Sequence, residues 1–246
     1  MAKKIAFFVE GPTEEMFVIK YLREIISQQG FHFRIYSGFG GSATNPRFFV
    51  MKSDVVDGQS YEAYIYVSQG DSKVNSDLLD QLSSVRRSGV TQIVALKDLR
   101  GRHNGTVGTL ANLPMYEQGD KYLFQTYSDV KSIIAVMEIE TWFIAETNHY
   151  SNLYNGLTQQ LILANTETIG CNPYDCTYEN IEEPAETLDR IYQLVQRHYS
   201  KNQNTTKKTI NALDYVNLYS DVKTRIAKLK EFADVIDKFF GFQFGE

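Results

Sequence analysis

Three apolar runs of strand length, residues 4–9, 91–96 and 132–137, give way to a turn with an acid within two residues of the end: Glu10, Asp98 after Lys97, and Glu138. A run that is apolar at nearly every position suits a strand buried on both faces, and such strands belong to parallel sheets covered by helices. The segment after the first run supplies such a helix. In Glu10-Gly11-Pro12-Thr13-Glu14-Glu15, Pro12 or Thr13 opens the helix and the two following glutamates favour its positive end. Val18, Leu22, Ile25 and Ile26 then recur at helical spacing to about residue 29, where Gly30 ends the helix.

The same reading predicts strands at 31–36, 61–67 and 121–127, a helix at 77–87 and a glycine loop at 38–41. Residues 99–120 show no clear period, a length that in a compact domain points to function. Strands alternating with helices at this spacing predict an α/β fold with a mostly parallel sheet flanked by helices. After Trp142 strands disappear and helices take over, which divides the chain into an α/β domain over 1–146 and a helical C-terminal lobe over 147–246 packed on it. The clearest late signal is the stripe Val222, Ile226, Leu229, Ala233, Ile236 and Phe240.

Composition enters mainly through what it excludes. With 43% hydrophobic residues in 246, a sizeable core can form, and 16 Tyr with 15 Phe give it an aromatic character. The longest apolar runs fall far short of the ~20 residues of a membrane span. The basic N-terminus meets Glu10 too soon for a signal peptide, so a cytoplasmic location is expected. A net charge of −5 argues against a lysine-coated reader of DNA sequence, yet leaves room for an enzyme with a local basic patch. Cys171 and Cys176 read as free thiols, because no His or Cys at matching spacing completes a zinc site.

The acids at the strand exits carry the chemical argument. Glu10 and Asp98 each follow a buried strand and converge above the sheet if those strands are neighbours. Close carboxylates repel unless a cation lies between them, and a pair with an open coordination sphere suits Mg²⁺. Glu138 and Glu140 follow the third run; on a helix they would point about 200° apart, so one of them faces the site, whereas on an irregular strand end both can. No G-x-S-x-G or H-E-x-x-H motif supports a serine hydrolase or zinc protease.

The E-G-x-T-E pattern at Glu10–Glu14, the later acid Asp98 and the E-x-E-x-W pattern at Glu138–Trp142 together resemble the Toprim-like proteins. The resemblance is to the OLD-nuclease and RloB-like branch, which includes a bacterial family often found beside ATPases. Pro184, the helical segment at 188–195, and Tyr199-Ser200-Lys201 with Lys207-Lys208 are similar to a later motif of that branch. The resemblance implies a Toprim-like sheet and Mg²⁺-dependent nuclease or phosphodiester-transfer chemistry, with Mn²⁺ as a substitute. It implies Glu10 as general acid/base or metal ligand, Asp98 as metal ligand, and Glu138 or Glu140 completing the acidic cluster. Nucleic acid is the implied substrate, an AAA- or ABC-type ATPase the implied partner, and defence against phage or foreign DNA the implied setting. One position departs from the pattern: where Toprim proteins show D-x-D, Arg100 replaces the second acid. Arg100, Arg102 and Lys207 are then candidates for phosphate contacts. The departure also supports a second reading, a non-catalytic Toprim-like module that binds nucleotide, nucleic acid or a partner protein.

Overall fold

A computed structural model describes residues 2–26, 30–42, 44–100, 102–103 and 106–241; at 71, 102, 103, 106 and 107 only the backbone is described. Seven-residue strand β1 (Lys3–Val9) lies in the middle of a six-stranded sheet. The others are β2 (Phe31–Phe39), β3 (Phe48–Val56), β4 (Tyr61–Val67), β5 (Gln92–Asp98) and, after a two-stranded ribbon of β6 (Arg102–His103) and β7 (Thr106–Val107), β8 (Val130–Ala135). Their order is β3-β2-β4-β1-β5-β8, and every pairing is parallel except β2 with β3. The chain is therefore an α/β protein with a mostly parallel sheet and a helical C-terminal portion. Among the described residues no helix is long and apolar enough to cross a membrane.

Alternation along each strand explains why both sheet faces are covered. Ile5, Phe7 and Val9 of β1 and Val94 and Leu96 of β5 point into one core. Ala6, Phe8, Ile93 and Ala95, one residue out of step, point into the other. The second face is closed by α2 (Val74–Arg87), through Val74, Leu78, Leu82 and Val85, and by Phe124 of α3 (Leu113–Phe124). The first face takes α1 (Pro12–Ile25) and the C-terminal elements: α4 (Glu140–Ala145), α5 (His149–Leu153), α6 (Gln159–Leu163), α7 (Thr166–Ile169), α8 (Pro184–Gln193), α9 (Gln203–Ala212), α10 (Tyr215–Asn217), α11 (Lys223–Arg225) and α12 (Ala227–Phe240). Residues from before and after position 146 form one continuous core there, with Phe232 of α12 packed against Phe7, Phe17, Tyr21 and Trp142.

Three elements differ from the expectations. Residues 121–124, read as the start of a strand, are the end of α3: Asp120 and Phe124, four apart, turn inward while Tyr122 is exposed. Pro114 in the first turn starts that helix well before the Tyr-Leu-Phe triplet that imitates a strand. β3 is an antiparallel edge strand that the sequence reading missed, because an edge exposes both sides and erases the alternation. The late stripe is interrupted: Ile226 is extended at φ −124°, so Val222 lies before the break and α12 runs from Ala227.

Candidate functional site

The carboxyl ends of β1, β5 and β8 lie side by side, in register Val9 with Leu96 and Asp98 with Ala135. Asp98 shares its sheet face with Val94 and Leu96, so its side chain enters the side occupied by α1 and α4. Glu10 sits one residue beyond β1, and its Oε2 accepts the Asp98 N–H at 3.1 Å. Asp98 Oδ1 in turn accepts the Ile139 N–H at 2.9 Å, which ties the end of β5 to the segment after β8.

That segment is bent by an unusual turn. Met137 has φ +60°, and the Glu138 N–H bonds Val136 C=O at 2.9 Å, closing a tight three-residue turn around it. A left-handed conformation at a non-glycine residue costs free energy and persists where surrounding bonds hold it. Here the Met137 carbonyl accepts the Arg100 N–H at 2.7 Å and the Val136 carbonyl accepts Thr141 Oγ1 at 3.2 Å. The turn ends before α4 begins at Glu140, so Glu138 is not on the helix. Both glutamates are thereby aimed at the same point, the irregular arrangement rather than the helical one.

The point they share is the ammonium of Lys201, which arrives on the connection between α8 and α9. Its Nζ lies 3.1 Å from Glu138 Oε1, 3.4 Å from Glu140 Oε2 and 3.5 Å from Asp98 Oδ2. The other Glu138 oxygen accepts the Ala185 N–H at 3.0 Å, in the first turn of α8. The other Glu140 oxygen accepts the Tyr199 hydroxyl at 2.7 Å. Glu140 Oε2 is buried with no hydrogen-bond partner. Glu14 completes the group from α1: its Oε2 accepts the Gly11 N–H at 2.8 Å, capping the helix, while its charge is felt by both Asp98 and Lys201.

Four buried carboxylates thus face one ammonium. Burial, then the charge of Glu140, pushes Glu14 up to about 7. Burial and the Glu14 charge push Asp98 well above the ordinary carboxylate range, and burial pushes Glu140 in the same direction. Burial alone would lower Lys201, but Glu140, Asp98, Glu138 and Glu14 outweigh it and raise it. The cluster is short of positive charge.

This shortage is the test of whether a divalent cation suits the residues. The donor set fits Mg²⁺ in kind: all-oxygen and multiply anionic, with Glu140 Oε2 buried, without a hydrogen bond and 3.4 Å from Lys201 Nζ. The spacing is that of an ammonium site. Among the described residues no three His, Cys, Asp or Glu side chains are arranged to hold a metal ion as they stand, since Mg²⁺ needs oxygens at about 2.0–2.1 Å.

Arg100 and Lys207 stand outside this group. Arg100 pairs with Glu183 at 3.2 Å and lines a cavity of about 530 Å³ with Met137, Thr109 and Asn180. Lys207 lies on the exposed side of α9, opposite buried Thr206, Thr209 and Ile210. The Arg102 side chain lies outside the described residues. Sequence reading gave no site role to Glu14 and weighed Lys201 only as part of a nucleic-acid path with Lys207 and Lys208, not as a partner of the acids. Glu14 was legible as a helix-start acid, and Lys201 as part of the Tyr199-Ser200-Lys201 motif.

Tyr199 offers a direct check on the buried network. Tyr199→Phe leaves both Glu140 oxygens without a hydroxyl donor, and a loss of about 1–3 kcal/mol in unfolding free energy is expected at pH 8. A urea denaturation midpoint equal to that of the parent protein would contradict the assigned bond.

Fold and site together define an α/β protein with a carboxylate cluster at the carboxyl edge of a parallel sheet. Comparison with protein-family models, with curated proteins and with solved structures finds no match to this chain.

Proposed function

We propose that this chain is a Toprim-type, Mg²⁺-dependent nuclease or related phosphodiester-transfer enzyme, with Mn²⁺ able to substitute. The observation that supports it best is the approach of Asp98, Glu138 and Glu140 to a single cationic atom, each within 3.5 Å. Carboxylates from two strand exits that already share an ammonium would need to close further, with Lys201 withdrawn, to share a metal ion. Asp98, Glu138 and Glu140 would hold that ion, with Glu14 adding charge. Such an ion, when bound, activates water and neutralises charge on the scissile phosphate. Glu10, fixed by the Asp98 N–H, takes the general acid/base role at the mouth of the site. Lys201, once released by the carboxylates, is the nearest ammonium for a substrate phosphate. Nucleic acid as substrate, an AAA- or ABC-type ATPase as partner, a cytoplasmic setting and a part in defence against foreign DNA belong to the same proposal and rest on the motif resemblance.

The second reading, a Toprim-like module that binds without cleaving, is favoured by one observation. The position of the second Toprim acid is Arg100, and its guanidinium is turned to Glu183. Cleavage of mixed DNA and RNA in Mg²⁺ or Mn²⁺ separates the two. Glu10→Gln and Asp98→Asn are each expected to lower the rate 100-fold or more. Equal rates in all three preparations would mark a contaminant and overturn the enzyme reading. Metal binding without cleavage would select the binding module.

A further inference from the structure

Away from the carboxylate cluster, the connection after α7 holds the chain's two cysteines. Gly170 closes α7 in the left-handed conformation at φ +90°, and Cys171 follows directly. Asn172-Pro173-Tyr174-Asp175 then forms a tight turn: the Asp175 N–H bonds Asn172 C=O at 3.0 Å and the Tyr174 N–H bonds Asn172 Oδ1 at 3.1 Å. Cys171 and Cys176 are the residues flanking that turn on either side. Their side chains come within hydrogen-bonding reach of each other, the approach that a disulfide requires.

The surroundings suit reaction. Both thiols are half-buried and line one cavity of about 500 Å³ together with Thr187 and Arg190. Arg190 is held there by bonds to Ile169 C=O at 2.8 Å and Thr187 Oγ1 at 2.7 Å. Hydrogen bonding to Cys176 holds Cys171 below the usual thiol range; burial opposes this, and the guanidinium of Arg190 adds to it. Cys176 is pushed the other way, first by that same bond. The guanidinium of Arg190 lies against Gly170, the neighbour of Cys171, and marks Cys171 as the nucleophile, with Cys176 placed to resolve it.

We infer that Cys171 and Cys176 form a peroxide-reactive dithiol that closes reversibly to an intramolecular disulfide. The Cys171 thiolate attacks one peroxide oxygen, the O–O bond breaks, and the leaving hydroxide takes a proton to become water. The Cys176 sulfur then attacks the resulting sulfenic acid, its proton leaves with the departing hydroxyl as a second water, and the S–S bond forms. The two electrons that reduce the peroxide come from the two sulfurs, and a dithiol reductant restores the starting state. None of this depends on the carboxylate cluster.

The test treats the full chain with hydrogen peroxide, alkylates the remaining thiols and reads the products by mass spectrometry. Both thiols are expected to disappear together, with the loss of two hydrogens from the segment carrying them, and to return on reduction. Cys176→Ser is expected to stop at a Cys171 sulfenic acid that a cyclic 1,3-dione traps. Cys171→Ser is expected to slow oxidation of the remaining thiol about tenfold. Independent oxidation of each sulfur to sulfinic acid, a link between chains on a non-reducing gel, or thiols no more reactive than a free small thiol would each overturn the assignment.

Discussion

Without divalent cation, the protein is expected to lose on the order of 3 kcal/mol of stability as pH rises from about 4.5 to 7. The cause is Glu14, whose carboxyl titrates near 4.5 when unfolded and is pushed up to about 7 in the fold. Between those values the native state binds the proton and the unfolded state does not, so raising the pH favours unfolding. Below the window both states are protonated and the contribution vanishes; above it the penalty stands in full. Asp98 and Glu140 are shifted in the same direction and steepen the fall. Other carboxylates that are held low, Glu62, Asp129, Glu146 and Glu231 among them, act with the opposite sign, and their contribution is lost as pH drops below the ordinary carboxylate range. The stability profile should therefore rise to near pH 4.5 and then decline, in contrast to most proteins.

Urea denaturation in the presence of chelator, at steps from pH 4 to 8, reads this profile. Glu14→Gln should flatten the decline and stabilise the protein at pH 8. Mg²⁺ should restore stability at high pH if the cluster binds it, by about 2.7 kcal/mol at a hundred times its dissociation constant. A midpoint that stays level or climbs between pH 5 and 7 in chelator would remove the claim that the four carboxylates are short of positive charge.

Phe232→Ala is the second large effect, with an expected loss of about 3–5 kcal/mol. Phe232 is fully buried, with ring centroids 5.2 Å from Tyr21, 5.9 Å from Trp142, 6.0 Å from Phe17 and 6.2 Å from Phe7. Those rings come from β1, α1 and α4, the elements that lead into Glu10, Glu14 and Glu140. The cavity left behind lies under all of them, so the loss should be shared by the sheet and the C-terminal helices. Native-state hydrogen exchange distinguishes a shared loss from a local one. Amides of β1 and α12 are expected to lose protection together, whereas a loss confined to α12 would show that the C-terminal helices form a separate unit.

How much of this was legible beforehand depends on how local each signal is. The runs that became β1, β4, β5 and β8 each carry an unbroken apolar stretch where the strand is buried, and those stretches stand out in the chain. β3 did not, because only one neighbour and little cover constrain it. The Tyr122-Leu123-Phe124 triplet imitated a strand because the helix carrying it buries little beyond Asp120 and Phe124. Glu10, Asp98, Glu138 and Glu140 were found from their places after buried strands. Lys201 was not, because its partners are 103, 63 and 61 residues away and its position has no periodic signature.

By itself the sequence determined the alternation of strands and helices, the parallel character of the sheet, and the acids at its carboxyl edge. These follow from local residue order: burial on two faces demands unbroken apolar runs, and a strand exit fixes where the next polar side chain emerges. Only the tertiary structure decided that Glu138 and Glu140 point to one place, that Glu14 joins them, and that a lysine from the far end of the chain stands among them. Electrostatic balance in a buried cluster is a property of atoms brought within a few ångströms by folding, and no stretch of sequence contains that distance.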